Sequence, residues 1–232
     1  MANFLNLDVI YEDNHLLVVN KPPGILVQGD STDRISLLQV AKDYIKVRYG
    51  KKGNVFLAIV HRLDRPVSGV IVFGRNSKSA SRLAQMFRER KVEKVYLSLC
   101  QGIFKDKEGI LKDQISWRDD KGKAEIVKGS ALSKEAITYY EVLFEHENIS
   151  LVRLFPKTGR KHQLRAQLSA RGHPILGDTK YGGRRIEEDA ICLHCCSLKF
   201  PHPVKKEDME FKAKIPSFWK KLYPEKVITS LG

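Results

Sequence analysis

Two apolar runs, VFLAIV at 55–60 and GVIVFG at 69–74, frame a charged short segment, His61-Arg62-Leu63-Asp64-Arg65. Runs rich in β-branched residues with no polar alternation predict strands buried on both faces. Two shorter strands are predicted before them, LDVIYED and HLLVVNKP, the second stopped by Pro22-Pro23-Gly24. Between these pairs, a helix is predicted over about 34–48. Ser31, Thr32 or Asp33 would cap it, Ile35, Leu38, Tyr44 and Ile45 would form its apolar stripe, and Gly50 would end it. A second helix is predicted in NSKSASRLAQMFRERK, capped by Asn76 or Ser77, with Ala80, Leu83, Ala84 and Phe87 turned inward.

Beyond that helix, KVYLSLCQGIF reads as a strand closed by Gly102, and 105–135 as loops with at most an edge hairpin. AITYYEVLFEHENISLVRLFP reads as a hairpin turning at His146-Glu147-Asn148. A helix is expected from near Thr158 to Gly172, then strands in AICLHCCSLKF and MEFKAKIP, with SFWKKL as a closing helical turn. Strands outnumber helices and several are hairpin-linked. The expected class is therefore α/β of the α+β type, a mixed, mostly antiparallel sheet with a few flanking helices. A single domain over 1–232 is the simplest organisation.

Lys and Arg number 41 against 27 Asp and Glu, a formal charge of +14, which favours a polyanionic partner. A hydrophobic share of 42% and a charged share of 29% exclude a disordered chain. No apolar run approaches membrane-spanning length, and the first residues lack the basic start and apolar core of a secretory signal. No membrane association and a cytoplasmic location are expected, and four cysteines in a chain this long do not make a disulfide framework.

Charged side chains between apolar strands are either a paired network or a site. The second dense cluster, FPKTGRKHQLRAQLSARGHPILGDTKYGG at 155–183, places His162 and Arg165 three apart, on one face of the expected helix. Its start, with Thr158 and Gly159, would suit a phosphate. Cys192-x-x-Cys195 with Cys196 invites zinc. However, no second pair stands at matching spacing, and strand alternation makes these cysteines small buried residues. No metal is assigned.

The blocks HRLDRPVSGV, KVYLSLCQG, KTGRKHQLRAQLSARGHPILGDTKYGG and LHCCSLKFPHP, preceded by VIYEDNHLLVVNKPPGILV, stand in the order seen in RluA-type pseudouridine synthases. The resemblance runs from about residue 8 to 203. It implies the pseudouridine synthase fold and an isomerase that converts a uridine in structured RNA to pseudouridine. It implies no cofactor, because product and substrate are isomers. On the same resemblance, Asp64 matches the essential aspartate, Tyr96 the tyrosine that packs on the target base, and Arg165 the arginine paired with the aspartate. Leu164 would shape the pocket, and Arg62 would fill the space left by the extruded base. His61, Arg160 and His162 are expected to contact substrate.

Three positions depart from the family pattern: Val67 and Lys161, where threonine is common, and Gln167, where histidine is frequent. Val67 is expected to tune packing, and the other two to bear on RNA contacts. The N-terminal S4 RNA-binding domain frequent in the family is expected to be absent. The RNA partner is expected to be tRNA slightly ahead of rRNA, and the chain a monomer. Two rival readings are a metal-dependent nuclease using His61, Asp64, His162, His173 and Asp178, and a non-catalytic RNA-binding protein.

Overall fold

The computed structural model describes residues 7–29, 34–129, 132–186 and 189–230. Their contacts group into two units, 1–92 with 196–216 and 93–195 with 217–232.

The first unit is organised by the apolar runs. Strands β1 (Asp8–Glu12) and β2 (Leu16–Lys21) form an antiparallel hairpin, and β2 pairs antiparallel with β4 (Ser68–Gly74), Leu17 opposite Phe73 and Lys21 opposite Gly69. Leu16 to Val19 and Val70 to Phe73 are wholly buried, which is why neither strand alternates polar and apolar positions. The run VFLAIV behaves differently from expectation. It contributes only the two-residue strand β3 (Ala58–Ile59), while Phe56 is exposed, so one of the two strands predicted to flank the charged segment is largely loop.

Helix α1 (Leu37–Arg48) begins later than predicted. Ser36 is its cap, its hydroxyl accepting from the Gln39 N–H, and the proposed caps Ser31, Thr32 and Asp33 lie outside the described residues. The later start rotates the apolar stripe to Leu37, Ala41 and Ile45, leaving Ile35 exposed. Helix α2 (Ser77–Arg88) is capped by Asn76 as predicted and packs tightly on β4 at Gly74. A Cβ there would come within 2.8 Å of the Ala80 Cα.

The second unit is an antiparallel succession of strands β5 (Glu93–Gln101), β9 (Ile149–Pro156), β8 (Lys134–His146), β6 (Glu108–Arg118) and β7 (Lys123–Val127). The β8–β9 hairpin turns where expected, with Glu147 and Asn148 both at positive φ, as a tight two-residue hairpin requires. The stretch 105–135, expected to be mostly loop, holds the long hairpin β6–β7. Ile115, Ala124, Ala136, Ala166 and Tyr181 bury one another beneath it. Strand β10 (Leu193–Pro201) carries the chain from the second unit into the first, where β11 (Asp208–Lys212) pairs with it. Helix α4 (Glu225–Thr229) and a 3-10 turn, Ser217–Lys221, close the second unit.

Helix α3 (Gln163–Ala170) starts five residues beyond Thr158. His162 adopts a left-handed backbone (φ 56) that cannot continue a helix backwards. The preceding turn is tied by the Gln163 side chain, whose Oε1 accepts from the Thr158 hydroxyl (2.7 Å) and the Arg160 N–H (3.0 Å). Thr158, buried and committed to Gln163 and Ile137, does not form the helix-start phosphate site expected from sequence. The mixed, mostly antiparallel α+β class is as predicted, and among the described residues no helix is long and apolar enough to cross a membrane.

Candidate active site

In the first unit, His61, Arg62 and Asp64 lie on the loop between β3 and β4. The loop is anchored at both ends. At its start, the Val72 N–H donates to His61 Nε2 (3.1 Å), and the imidazole stacks on Phe87 of α2 at 4.6 Å between centroids. At its end, the Arg65 carbonyl accepts from the Gly24 N–H (2.9 Å) and from the Lys21 ammonium (3.0 Å). Gly24 follows the two prolines with φ 84, a backbone open to glycine at no steric cost. The Val67 N–H donates to the Asp64 carbonyl (3.1 Å), so Asp64 begins a turn whose next carbonyl is doubly held. Leu63 and Val67 point into the core on either side of it, while Asp64 is half-buried and Arg62 exposed. Burial of Val67 fits the packing role expected for it.

Lys21 is the group that sequence reading passed over, because NKPPG reads as no more than a strand stop. Its side chain is fully buried and also donates to the Pro22 carbonyl (2.9 Å). Burial pushes its ammonium down to about 7, with the Asp64 carboxylate pulling it back up and the Arg65 cation adding to the depression.

In the second unit, α3 gathers several of the predicted residues. Arg165 is buried and grips Asp178 with both edges of a bidentate pair, Nε to Oδ2 at 2.6 Å and Nη2 to Oδ1 at 2.8 Å. Its Nη1 donates to His162 Nε2 (3.0 Å); arginine has no acceptor, so the imidazole proton sits on Nδ1 and is given to the Tyr181 hydroxyl at 2.9 Å. That hydroxyl also accepts from the Ala124 N–H (2.7 Å), and the guanidinium lies 4.9 Å from the Tyr181 ring centroid. Asp178 and Tyr181 come from GDTKY, a segment whose sequence signal is an acid and an aromatic ring set between glycines.

Leu164 is buried in the first turn of α3, and Tyr96 stands half-buried on β5 opposite Leu154. Arg160 donates from Nε to the Glu135 carbonyl (2.9 Å), which fastens the turn to β8. Lys161 is exposed and sets its ammonium 3.3 Å from the centroid of Trp117, whose indole also meets the His162 ring edge-on. Gln167 is fully buried, accepting from the Thr138 hydroxyl and donating to the Leu111 carbonyl and Asp113. This departure from the family pattern is thus a matter of packing, and its expected bearing on RNA contacts is corrected.

The two site-bearing segments answer to one family. The family model described as RNA pseudouridylate synthase matches residues 15–170, two thirds of the chain. The chain belongs to the RNA pseudouridylate synthase family. Among curated relatives of this synthase, the "tRNA pseudouridine synthase C" of Haemophilus ducreyi is 34% identical, with 94% of this chain and 95% of that protein aligned. The "Dual-specificity RNA pseudouridine synthase RluA" of Haemophilus influenzae is 37% identical over 90% and 93% of the two chains. Among solved structures, the human RNA pseudouridylate synthase domain containing 4 superposes with a TM-score of 0.77 at 29% identity, covering 92% of this chain and 90% of its own. The synthase is of the RluA type and an RNA isomerase, as the motifs indicated.

Isomerisation in this family breaks the N1–C1′ bond of a uridine and joins C5 to C1′. A stacked base offers no access to that bond, so the nucleotide is extruded at a cost of roughly a few kcal/mol. The first segment holds a half-buried carboxylate on a pinned loop beside exposed Arg62, and the second an arginine fixed by a buried acid.

Proposed function

We propose that this synthase modifies a uridine in a structured tRNA and that Asp64 is its catalytic residue. In this reading Tyr96 packs on the extruded uracil, Leu164 shapes its pocket, Arg165 partners the aspartate, and Arg62 takes the place the base leaves in the helix. His61, Arg160 and His162 serve the substrate by holding these groups in place. The chain works as a single catalytic domain and as a monomer, in the cytoplasm, with no cofactor. A single observation carries the catalytic assignment: Asp64 opens a turn whose following carbonyl is pinned by two donors from another strand and its turn, a rigid mount for one carboxylate. The tRNA reading is supported by the names of relatives aligned over nearly their whole length, and by a surplus of 14 positive charges. Large-subunit rRNA synthases also appear among the relatives, which makes rRNA the second substrate to test.

The test is tritium release from RNA labelled at uracil C5, since C5 must lose its hydrogen to bond C1′. Unmodified tRNA and rRNA pools are compared, with Asp64→Ala and a chelator arm alongside. Release from tRNA by the wild type, unaffected by chelator and absent in Asp64→Ala while RNA is still bound, is expected. Near wild-type turnover by Asp64→Ala overturns the catalytic assignment, and release from rRNA alone overturns the tRNA reading. Chelator-sensitive activity accompanied by strand cleavage would favour the nuclease reading instead.

A further inference from the structure

The roles above use only one end of the strands in the first unit. The Asp64 loop enters β4 at Ser68, whereas α1 ends against Arg75, just past the other end of that strand. β4 spans seven residues, so at about 3.3 Å each its two ends lie about 20 Å apart. We propose that the C-terminal end of α1 is a second RNA-docking surface, where an unpaired base stacks on Tyr49 and phosphates meet Lys46, Arg48, Lys51 and Lys52. The proposal rests on the chain acting on structured RNA, and it adds contacts remote from the extruded uridine.

The segment KDYIKVRYGKK, 42–52, holds five basic residues and one acid, Asp43, whose carboxylate accepts from the Gln39 amide at 2.9 Å. Every residue from 46 to 54 is exposed, and Lys46, Lys51 and Lys52 make no ion pair among the described residues. Cations at a helix end are usually just solvated partners of the helix dipole. Here the geometry goes further. The ending is a rigid Schellman turn: the Gly50 N–H donates to the Val47 carbonyl (3.3 Å) and the Lys51 N–H to the Lys46 carbonyl (3.0 Å), with Gly50 at φ 57. An apolar contact frequently joins the residues linked by the outer bond of that motif. In this chain both are lysines, so like charges are gathered where an anion would relieve them. Tyr49, itself 49% exposed, has the Arg75 guanidinium 5.1 Å and the Arg48 guanidinium 6.0 Å from its ring centroid. One carboxylate fixes both arginines: Glu12 accepts from Arg75 Nη1 (2.9 Å), Arg48 Nε (3.1 Å) and the Tyr44 hydroxyl (3.0 Å). A single anion facing two guanidiniums leaves positive charge in excess and sets where it lies. Exposed Val47 adjoins these cations in the helix, and exposed Phe56 leads into β3 at the same strand end, where Ala58 stands opposite Gly74. An aromatic face edged by fixed cations stacks unpaired bases while the backbone is neutralised. An acidic protein segment would satisfy the lysines alone; the ring held between guanidiniums favours RNA.

The experiment measures filter binding of unmodified tRNA and rRNA pools across a salt series, single-turnover tritium release, and thermal melting. The proteins are wild type, Tyr49→Ala, Tyr49→Phe and the triple variant Lys46→Gln, Lys51→Gln, Lys52→Gln. A control triple, Lys205→Gln, Lys206→Gln, Lys212→Gln, removes the same charge at exposed positions elsewhere in the first unit. The α1 triple is expected to bind about tenfold or more weakly and to reduce the slope of log affinity against log salt by about 2. Tyr49→Ala should bind about fivefold or more weakly with the slope unchanged, and Tyr49→Phe within about twofold of wild type. Rate lost at low RNA should return as RNA is raised, because the surface lies away from the Asp64 loop. The exposed lysine variants keep the test decisive if Tyr49→Ala melts early. Unchanged affinity and slope in the α1 triple overturn the proposal, whether the surface is idle or serves an acidic protein. So does an equal loss in the control triple, or a rate loss that saturating RNA does not restore. No tritium release by the wild type from either pool would instead overturn the reading on which the proposal rests.

Discussion

Replacing Asp178 with alanine is expected to destabilise the second unit more than any other single truncation near α3. The Arg165 side chain is 6% exposed and that of Asp178 1%, so the pair is almost wholly withdrawn from water. Deleting one member of a buried pair leaves the other charge uncompensated, typically at a cost of about 3–5 kcal/mol. Arg165 retains its bond to His162, which places the expected loss toward the lower end of that range. For a chain of this length each kcal/mol lowers the melting temperature by about 2–4 °C, giving a drop of about 6–20 °C. Asp178→Asn keeps the shape and one acceptor and should cost less, about 1.5–3 kcal/mol, the worth of a charge-assisted hydrogen bond. Arg165→Met combined with Asp178→Leu removes both charges and should recover much of the stability, though not the activity. Circular dichroism melts and urea titrations of the four proteins decide the matter. If Asp178→Ala melts within about 1 °C of wild type, or the double variant is as unstable as the single one, the account of this pair as a mutually dependent buried unit is wrong.

The folded Lys21 ammonium lies at about 7 against 10.5 in an unfolded chain, so between those values the unfolded state binds the extra proton and stability rises with pH. Measured as wild type minus Lys21→Met, the gain should approach about 1.4 kcal/mol per pH unit between 7 and 10, and a flat difference would refute it. Gly183→Ala should cost about 1–3 kcal/mol or more and show as a lowered melt, since its Cβ would sit 2.0 Å from the Ile175 carbonyl oxygen. The Cys100 thiol, fully buried and pushed up to about 12 by burial, should resist alkylation in the native protein while half-buried Cys196 reacts. Mass mapping of labelled peptides checks this, and early labelling of Cys100 would contradict it.

What could be read from the sequence was what repeats along it or sits within a few residues. The runs in β2 and β4, the Asn76 cap and the Glu147-Asn148 turn are local signals, and each landed within a residue or two. The β6–β7 hairpin was foreseen only as an edge hairpin without strand positions, because its lysines, glutamates and aspartates leave little apolar pattern. Much of what secures it comes from afar, including the Tyr181 hydroxyl bound to the Ala124 N–H 57 positions away. The α3 start was misplaced because a histidine in the left-handed region carries no propensity signature, and the Gln163 side chain substitutes for a helix cap. The site was legible through HRLD and TGRKHQLR as a resemblance. The long-range bonds behind it, Lys21 to Arg65 and Arg165 to Asp178, were not, since nothing in either sequence neighbourhood indicates which distant carbonyl or acid will be met.

The chain holds two tryptophans in contrasting settings: Trp219 is wholly buried, while Trp117 lies half-exposed on β6 under the Lys161 ammonium and against the His162 ring. The protein thus carries a built-in optical probe. Trp219 should emit as a constant, blue-shifted background. The light from Trp117 should change whenever a polyanion draws Lys161 away from the indole. A single Trp219→Phe replacement would isolate that signal, turning one cation–aromatic contact into a label-free gauge of how fast RNA arrives and departs.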